Sequence, residues 1–145
     1  MPKAYASTVL NAPAMDVWAV IRDFNGLPSW HPAVTDSEIE NGKASDQVGG
    51  VRSFHLADGA HLRERLLAFS DLDMTYSYNF EKTPFDVENY IATLRVTPVT
   101  DGDRSLVEWW TVFDCDVAKI DEWVETFSGP VFKTGLDALK SRFGG

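Results

Sequence analysis

Residues 116–143, DVAKIDEWVETFSGPVFKTGLDALKSRF, carry the clearest periodic pattern in the chain. Their large apolar side chains recur in steps of three and four with occasional slips, as on the buried face of an amphipathic helix: Ile120, Trp123, Val124, Phe127, Val131, Leu136, Leu139 and Phe143. Acidic residues lead and basic residues follow, the order that a helix dipole favours. At about 1.5 Å per residue such a helix is about 40 Å long. Gly129-Pro130 predicts a bend in its middle, because proline removes a backbone hydrogen bond.

The chain before this helix is dominated by predicted strands. A first strand over 5–10 is followed by a short helix with a buried stripe from Val17 to Phe24, and residues 27–32 allow only another helical turn. Strands are then predicted over 34–40, 49–57, 61–70, 73–82, 88–99 and 105–115. The turns between them are short, so neighbouring strands should pair antiparallel. This order predicts one α+β domain over residues 1–145, in which the long helix covers an antiparallel sheet of about six to seven strands.

The composition indicates a folded, acidic protein. The chain has 145 residues, of which 44% are hydrophobic and 24% charged, and this fits one domain with one core. The net charge of −9 argues against binding to nucleic acid or to an anionic membrane, because both require basic patches. No apolar run reaches membrane-spanning length and no secretory leader is recognised, so we expect a cytoplasmic protein without membrane insertion. The oligomeric state is left open between a monomer and a homodimer.

The turn between the strands at 49–57 and 61–70 determines how these two strands align. A two-residue turn would mismatch their apolar faces, whereas a three-residue loop with Gly59 in the left-handed conformation aligns them. In that register Arg52 lies opposite Glu64. Both side chains then belong to the apolar face that meets the long helix.

Several motifs together resemble one known superfamily. They are Val9 with Ala12-Pro13 and Val17-Trp18, then Asp23-Phe24, Trp30-His31-Pro32, Gly49-x-x-Arg52, Glu64-Arg65-Leu66, Tyr76-Ser77-Tyr78, Asn89-Tyr90-x-Ala92-Thr93 and Trp109. With the order of elements, they resemble the START-like, Bet v 1-like superfamily, and within it the polyketide cyclase/dehydrase-like branch of small SRPBCC proteins. The resemblance implies the helix-grip fold. In this fold a curved antiparallel sheet wraps round the long C-terminal helix, two short helices follow the first strand, and a ligand cavity lies between sheet and helix.

One group of this superfamily, the lachrymatory-factor synthases, permits a comparison of single residues. Their proposed catalytic arginine and glutamate lie on the two strands of this hairpin, in Val-Arg and Glu-x-Leu contexts that correspond to Arg52 and Glu64. The strand with Tyr76-Ser77-Tyr78 is similar as well, while the flanking loops do not match. The motif of the abscisic-acid receptor gate loop is absent from residues 56–60. The resemblance thus implies Arg52 and Glu64 as catalytic residues and leaves the substrate open.

Two interpretations of the Arg52–Glu64 pair are open. In the first, the pair is a structural ion pair whose buried charges satisfy each other. In the second, Arg52 holds a carbonyl, enolate or carboxylate group of the ligand while Glu64 transfers a proton. An apolar cavity raises the pKa of a carboxylic acid and a neighbouring arginine lowers it, and the sequence does not decide which effect is larger.

Further residues are predicted to contact the ligand, because they lie on the inward face or in the rim loop: Trp30, His31, Phe54, Leu66, Tyr76, Tyr78, Tyr90, Trp109, Phe127 and Val131. For the tyrosines, core packing is the simpler alternative, and for His31 a solvated loop position competes with gating or proton transfer. His31, His55 and His61 show no metal-ligand spacing and Cys115 has no partner motif, so no metal is predicted. Phosphate-binding motifs are absent, so no cofactor is predicted.

Three classes of function remain. The first is a cofactor-independent enzyme of the cyclase, dehydratase or isomerase type, acting by acid–base chemistry on a small apolar ketide-like or unsaturated substrate. The second is a non-catalytic carrier or sensor of a small hydrophobic molecule. The third is an interaction protein, such as a co-chaperone, which a large apolar patch around the outward-facing Trp110 would favour. The inward Arg52–Glu64 pair favours the enzyme, and the sequence does not name the ligand.

Overall fold

The computed structural model describes residues 1–145 and contains seven strands. They are β1 (Lys3–Leu10), β2 (Val34–Ile39), β3 (Val51–Leu56), β4 (His61–Ser70), β5 (Thr75–Lys82), β6 (Glu88–Val99) and β7 (Arg104–Asp114). All neighbours pair antiparallel in the order β1-β7-β6-β5-β4-β3-β2. The sheet is curved and does not close into a barrel, and the C-terminal helix lies against it. The predicted α+β helix-grip fold is confirmed.

The β3–β4 hairpin adopts the predicted register. Gly59 has φ +88°, which fits a three-residue loop with a glycine in the left-handed region. The Leu56 N–H donates to the Ala60 carbonyl at 2.9 Å, and Arg52 pairs directly with Glu64 four residue pairs further from the loop. The side chains of Arg52 and Glu64 are both buried, on the face of the sheet that meets the helix.

Helices follow the first strand and end the chain. After β1 come α1 (Ala14–Ile21) and a 3₁₀ segment (Phe24–Ser29), as the two short predicted helices. The C-terminal helix opens with a 3₁₀ turn at Val117–Lys119. It continues as α2 (Ile120–Thr126), a π-helical segment (Phe127–Lys133) and α3 (Thr134–Phe143). No helix of this chain is long and apolar enough to span a membrane.

Gly129-Pro130, where the sequence predicts a bend, lies inside the π-helical segment. Pro130 has no N–H to donate, and the Thr134 N–H bonds to the Gly129 carbonyl, which is the wider i→i+5 pattern. Because this turn holds an extra residue, Phe127 and Phe132 both point inward and are fully buried, although they lie five positions apart. Phe132 was not among the residues of the predicted helical stripe, and the wider π-helical turn brings it to the inner face.

Gly135, at the start of α3, is a point of close contact between the helix, the sheet and the loop before β2. A Cβ atom at this position would lie 2.7 Å from His31 Cδ2, 2.9 Å from Trp109 Cζ3 and 3.0 Å from Trp30 Cζ3. Real Cβ atoms do not tolerate contacts this short, so the glycine permits the close approach. Gly129 in the π-helical segment is different, because a Cβ there would meet nothing within 4 Å.

We predict opposite effects of alanine at these two glycines. Both substitutions gain helix propensity, by up to about 1 kcal/mol. At Gly129 nothing opposes this gain, so Gly129→Ala should leave the free energy of unfolding unchanged or increased. Gly135→Ala should lower it by about 1–3 kcal/mol, since the methyl group overpacks a filled contact. Urea denaturation of both variants measures the difference, and equal effects would contradict the close approach at Gly135.

Candidate ligand-binding site

A cavity of about 220 Å³ lies between the inner face of the sheet and the π-helical segment. Thirteen of its 18 lining residues are hydrophobic. The lining consists of Leu27, His31, Ala33, Val34, Arg52, Phe54, Leu56, Leu62, Glu64, Tyr78, Phe80, Phe85, Tyr90, Trp109, Thr126, Phe127, Pro130 and Val131. Arg52 and Glu64 are the only arginine, lysine, aspartate or glutamate residues in the lining. His31 adds a positive charge only when it is protonated.

The structure brings most of the predicted site residues together around this cavity. Nine line it: Arg52, Glu64, His31, Phe54, Tyr78, Tyr90, Trp109, Phe127 and Val131. Three do not. Trp30 packs on Trp109 with ring centroids 5.6 Å apart, Tyr76 packs on Phe24 at 5.6 Å, and Leu66 is buried in the core. These three share the inward face or its rim, but other side chains fill the space in front of them.

Other lining residues were not among those predicted from the sequence. Phe80 had a usable signal, because it continues the inward parity of Tyr78 on β5. Leu62 likewise lies on the inward face of β4, opposite Phe54. Phe85 lies in the loop between β5 and β6, where no periodic pattern predicts an inward side chain. The centroids of its ring and the Phe127 ring are 5.5 Å apart.

The Arg52 guanidinium is almost completely enclosed, with 1% of its side chain exposed. Its Nε donates to Glu64 Oε1 at 2.9 Å, and its Nη2 lies 2.7 Å from the same oxygen. Nη1 donates to the Phe24 carbonyl of the 3₁₀ segment at 2.8 Å. The rings of Phe24 and Tyr78 lie 3.9 Å and 4.8 Å from the guanidinium carbon, within cation–π distance. Each nitrogen of the guanidinium therefore already has a partner within the protein.

Glu64 differs from Arg52, because only one of its oxygens is engaged. Oε1 receives both contacts from Arg52, whereas Oε2 has no hydrogen-bond partner, and Glu64 is one of the residues that line the cavity. Burial raises the pKa of this carboxyl above its usual range, and the charge and hydrogen bond of Arg52 oppose the rise without cancelling it. Burial lowers the pKa of Arg52, but the attraction and hydrogen bond of Glu64 together with the attraction of Tyr76 and Tyr78 raise it above its usual value, so the guanidinium remains charged.

The aromatic wall of the cavity carries its own internal hydrogen bond. Trp109 Nε1 donates to the Tyr78 hydroxyl at 3.0 Å. Tyr90 stacks on Phe80 with centroids 3.9 Å apart. Burial raises the pKa of both Tyr78 and Tyr90, so both phenols stay protonated at neutral pH. The wall is therefore uncharged.

His31 is buried rather than solvated, with 3% exposed. Its Nδ1 accepts from the Ala33 N–H at 3.2 Å, and its Nε2 lies 2.7 Å from the Val131 carbonyl. Burial lowers the pKa of this imidazole; the hydrogen bond to Val131 opposes that effect and the charge of Arg52 adds to it. The three histidines do not combine with other side chains into a metal-binding group of three or more ligands.

A curved sheet that grips a C-terminal helix, with a mainly apolar cavity between them, defines a START-like helix-grip domain. The chain matches the family described as "Polyketide cyclase / dehydrase and lipid transport" over residues 1–144, and it belongs to this family. Membership supports the binding of a hydrophobic ligand.

Solved structures of related proteins agree with this assignment. The chain is 33% identical to the protein XoxI from Bacillus cereus, with a TM-score of 0.89 over 99% of this chain and 96% of that one. It is 31% identical to a protein from Thermobifida fusca, with a TM-score of 0.90 over 99% and 94% of the two chains. An uncharacterised protein from Bacillus thuringiensis is 32% identical, with a TM-score of 0.87 over 97% and 98%.

We predict that Arg52→Met lowers the free energy of unfolding by about 3–5 kcal/mol, because Glu64 is left buried without its cation. The loss should be smaller at about pH 5 than at about pH 8. Without Arg52 the pKa of Glu64 rises further. The folded protein then holds a proton that the unfolded chain releases, and this stabilisation disappears as the pH rises.

Urea denaturation of the variant at both pH values measures this effect. The double variant Arg52→Met/Glu64→Leu is the matched control, since replacing a whole buried ion pair by apolar residues is often neutral. It should recover most of the stability and remove the pH difference. A single Arg52→Met variant as stable as the unmodified protein would contradict the structural importance of the pair.

Proposed function

We propose that this protein binds a small, uncharged, largely apolar molecule that carries one hydroxyl or carbonyl group. The observation that carries the proposal is an apolar cavity whose charged lining group offers one unpaired oxygen, Glu64 Oε2. The apolar walls supply affinity by burial, and the single oxygen orients the ligand through a hydrogen bond.

The size of the cavity limits the ligand. An apolar cavity of about 150 Å³ in another protein holds benzene, and pockets for drug-sized ligands measure about 300–1,000 Å³. At about 220 Å³ this cavity falls between the two. The ligand that fits is a molecule of one or two rings, or a short branched chain.

The state of Arg52 argues against an anionic ligand. Bidentate recognition of a carboxylate requires two free N–H groups on the guanidinium. Here Nε and Nη2 face Glu64 and one N–H of Nη1 is bonded to the Phe24 carbonyl. The two remaining N–H groups belong to a guanidinium that lies against the rings of Phe24 and Tyr78, with 1% of the side chain exposed, which leaves them little access to a ligand. The geometry therefore favours the structural interpretation of Arg52: it holds Glu64 in place and leaves ligand recognition to Glu64.

Glu64 has different hydrogen-bonding roles in its two protonation states. As a carboxylate, its Oε2 accepts a hydrogen bond from a ligand hydroxyl. Because Arg52 occupies Oε1, a proton on this carboxyl belongs on Oε2, where it can be donated to a ligand carbonyl. One atom facing the ligand therefore serves both kinds of group.

The same feature supports a second candidate function, cofactor-independent acid–base catalysis. A carboxyl with a raised pKa in an apolar cavity is suited to give and take a proton near neutral pH. Glu64 Oε2 is the atom that would do so, in a dehydration or isomerisation of the bound molecule. The positive charge of Arg52 behind it would stabilise the carboxylate formed when Glu64 gives up its proton.

We predict that the protein prefers 2-naphthol to naphthalene, two probes that differ by one hydroxyl. A hydrogen bond to an ionised group contributes about 1.5–3 kcal/mol, so at about pH 7 the preference should be roughly tenfold to hundredfold. Glu64→Gln should reduce it to about threefold or less, since the neutral amide turns its NH₂ toward the cavity while its oxygen stays on Arg52. Fluorescence titration measures both affinities.

Glu81→Gln is the matched control, because Glu81 is also paired to an arginine, Arg65, but lies on the outer face of the sheet. It should leave both affinities unchanged. The double variant Arg52→Met/Glu64→Leu should still bind naphthalene. This binding shows that the site folds without the ion pair, so a loss of preference for 2-naphthol is not caused by unfolding. Failure of the unmodified protein to bind either probe would refute the apolar site, and equal binding of the two probes would refute the role of Glu64.

Native mass spectrometry of the purified protein tests the proposal without a chosen probe, by searching for a co-purified small molecule. Once such a molecule is identified, Glu64→Gln separates the two candidate functions. Loss of turnover with binding retained would support an enzyme. No turnover by the unmodified protein would support a carrier or sensor.

A further inference from the structure

We propose that neutral His31 is a positioning residue that ties together two walls of the cavity, and that its protonation releases the bound ligand. This inference rests on the proposed function, the binding of an apolar molecule in this cavity. It assigns a role to His31 that requires no contact with the ligand's polar group. It also names a condition, the protonation of His31, under which the ligand leaves.

The hydrogen bonds of His31 define its tautomer. A backbone N–H can only donate, so Nδ1, which lies 3.2 Å from the Ala33 nitrogen, must be the acceptor. The proton of the neutral ring therefore sits on Nε2 and is donated to the Val131 carbonyl at 2.7 Å. Both Ala33 and Val131 line the cavity. One imidazole thus joins the turn before β2 to the π-helical segment.

Both ends of this link are parts of larger structures. The Val131 carbonyl belongs to the π-helical segment, next to Pro130. On the other side, the Ala57 N–H donates to the Ala33 carbonyl at 2.9 Å, so the turn is tied to the end of β3. A displacement of Ala33 would therefore move residues of two elements that border the cavity.

Protonation of His31 is incompatible with this arrangement. The imidazolium carries a hydrogen on both nitrogens, so Nδ1 can no longer accept from Ala33, and two N–H groups then oppose each other. The turn has to move away, or His31 has to leave its buried position. Either change opens the wall between Ala33 and Val131.

The surroundings of His31 do not compensate a positive charge. The charged groups of the cavity are Arg52 on β3, which repels an imidazolium, and Glu64 on β4, which is already paired to Arg52. β7 presents the uncharged ring of Trp109, and α3 presents Gly135. The remaining titratable groups of the lining are the phenols of Tyr78 and Tyr90, which stay neutral because burial raises the pKa of each.

The direction of the pH effect follows from the lowered pKa of His31. A histidine whose pKa is depressed in the folded, closed state favours that state at pH values above the ordinary histidine pKa of about 6.5. This stabilisation is lost as the pH falls below that value, because the open or unfolded state binds the proton more readily. Acidification should therefore weaken ligand binding.

Naphthalene is the probe for this test, because it does not titrate and has no polar group for Glu64. Between about pH 7.5 and about pH 5 its dissociation constant with the unmodified protein should rise roughly tenfold or more. His31→Gln keeps a donor for Val131, His31→Asn keeps an acceptor for Ala33, and neither takes up a proton. At least one of these variants should bind naphthalene at the higher pH and show a change of about threefold or less.

His55→Gln is the matched control, because His55 is an exposed histidine paired to Asp36 on the outer side of the sheet. It should keep the pH dependence of the unmodified protein. A flat profile in the unmodified protein, or an undiminished slope in both His31 variants, would overturn the proposal.

The proposed function and this inference fail in different ways. If naphthalene does not bind even at about pH 7.5, the apolar site is refuted and ligand release with it. The link made by His31 is then measured by the free energy of unfolding. That free energy should fall between about pH 7.5 and about pH 5, and should fall less in His31→Gln than in His55→Gln. Equal slopes in these two variants would refute the positioning role.

Discussion

The burial of one charge, the Arg52 guanidinium, constrains much of this structure. An unpaired buried charge costs several kcal/mol, so each of its polar groups needs a partner at a defined place. Glu64 on β4 supplies an oxygen, the 3₁₀ segment supplies the Phe24 carbonyl, and β5 supplies the face of Tyr78. Two strands in register, a third strand and the first helical layer must all be in place before this charge is satisfied.

The same interaction determines what the cavity offers to a ligand. Because Arg52 is satisfied inside the protein, its positive charge is balanced by Glu64 and is not available for an anion. The cavity is mainly apolar, and its one arginine and one carboxylic acid, Arg52 and Glu64, are joined within the protein. In the proposed function such a site would discriminate by shape and by a single hydrogen bond, and a charged ligand would lose its hydration there without compensation.

The π-helical segment gives the cavity its second wall and its connection to His31. Pro130 breaks the α-helical ladder, and the wider turn directs both Phe127 and Phe132 toward the sheet. The Val131 carbonyl in this segment accepts from His31. A regular α-helix of the same length would present a narrower apolar stripe to the sheet. The proline is therefore part of how the helix fits a curved surface.

The sequence by itself determined the order of elements, the inward positions of Phe54, Tyr78, Tyr90 and Trp109 on their strands, and the pairing of Arg52 with Glu64. These follow from local rules: side chains alternate along a strand with period two, and a loop that needs Gly59 in the left-handed region permits only one alignment. Only the tertiary structure decided which inward residues face empty space. Trp30, Leu66 and Tyr76 are buried against other side chains, whereas Phe85 reaches the cavity from a loop. The difference depends on which side chains of the helices and loops meet the sheet: Phe24 of the 3₁₀ segment covers Tyr76, and Trp30 packs against Trp109. Such contacts join residues far apart in the chain, as His31 and Val131 are at 100 positions, and so they follow only from close packing in the folded protein.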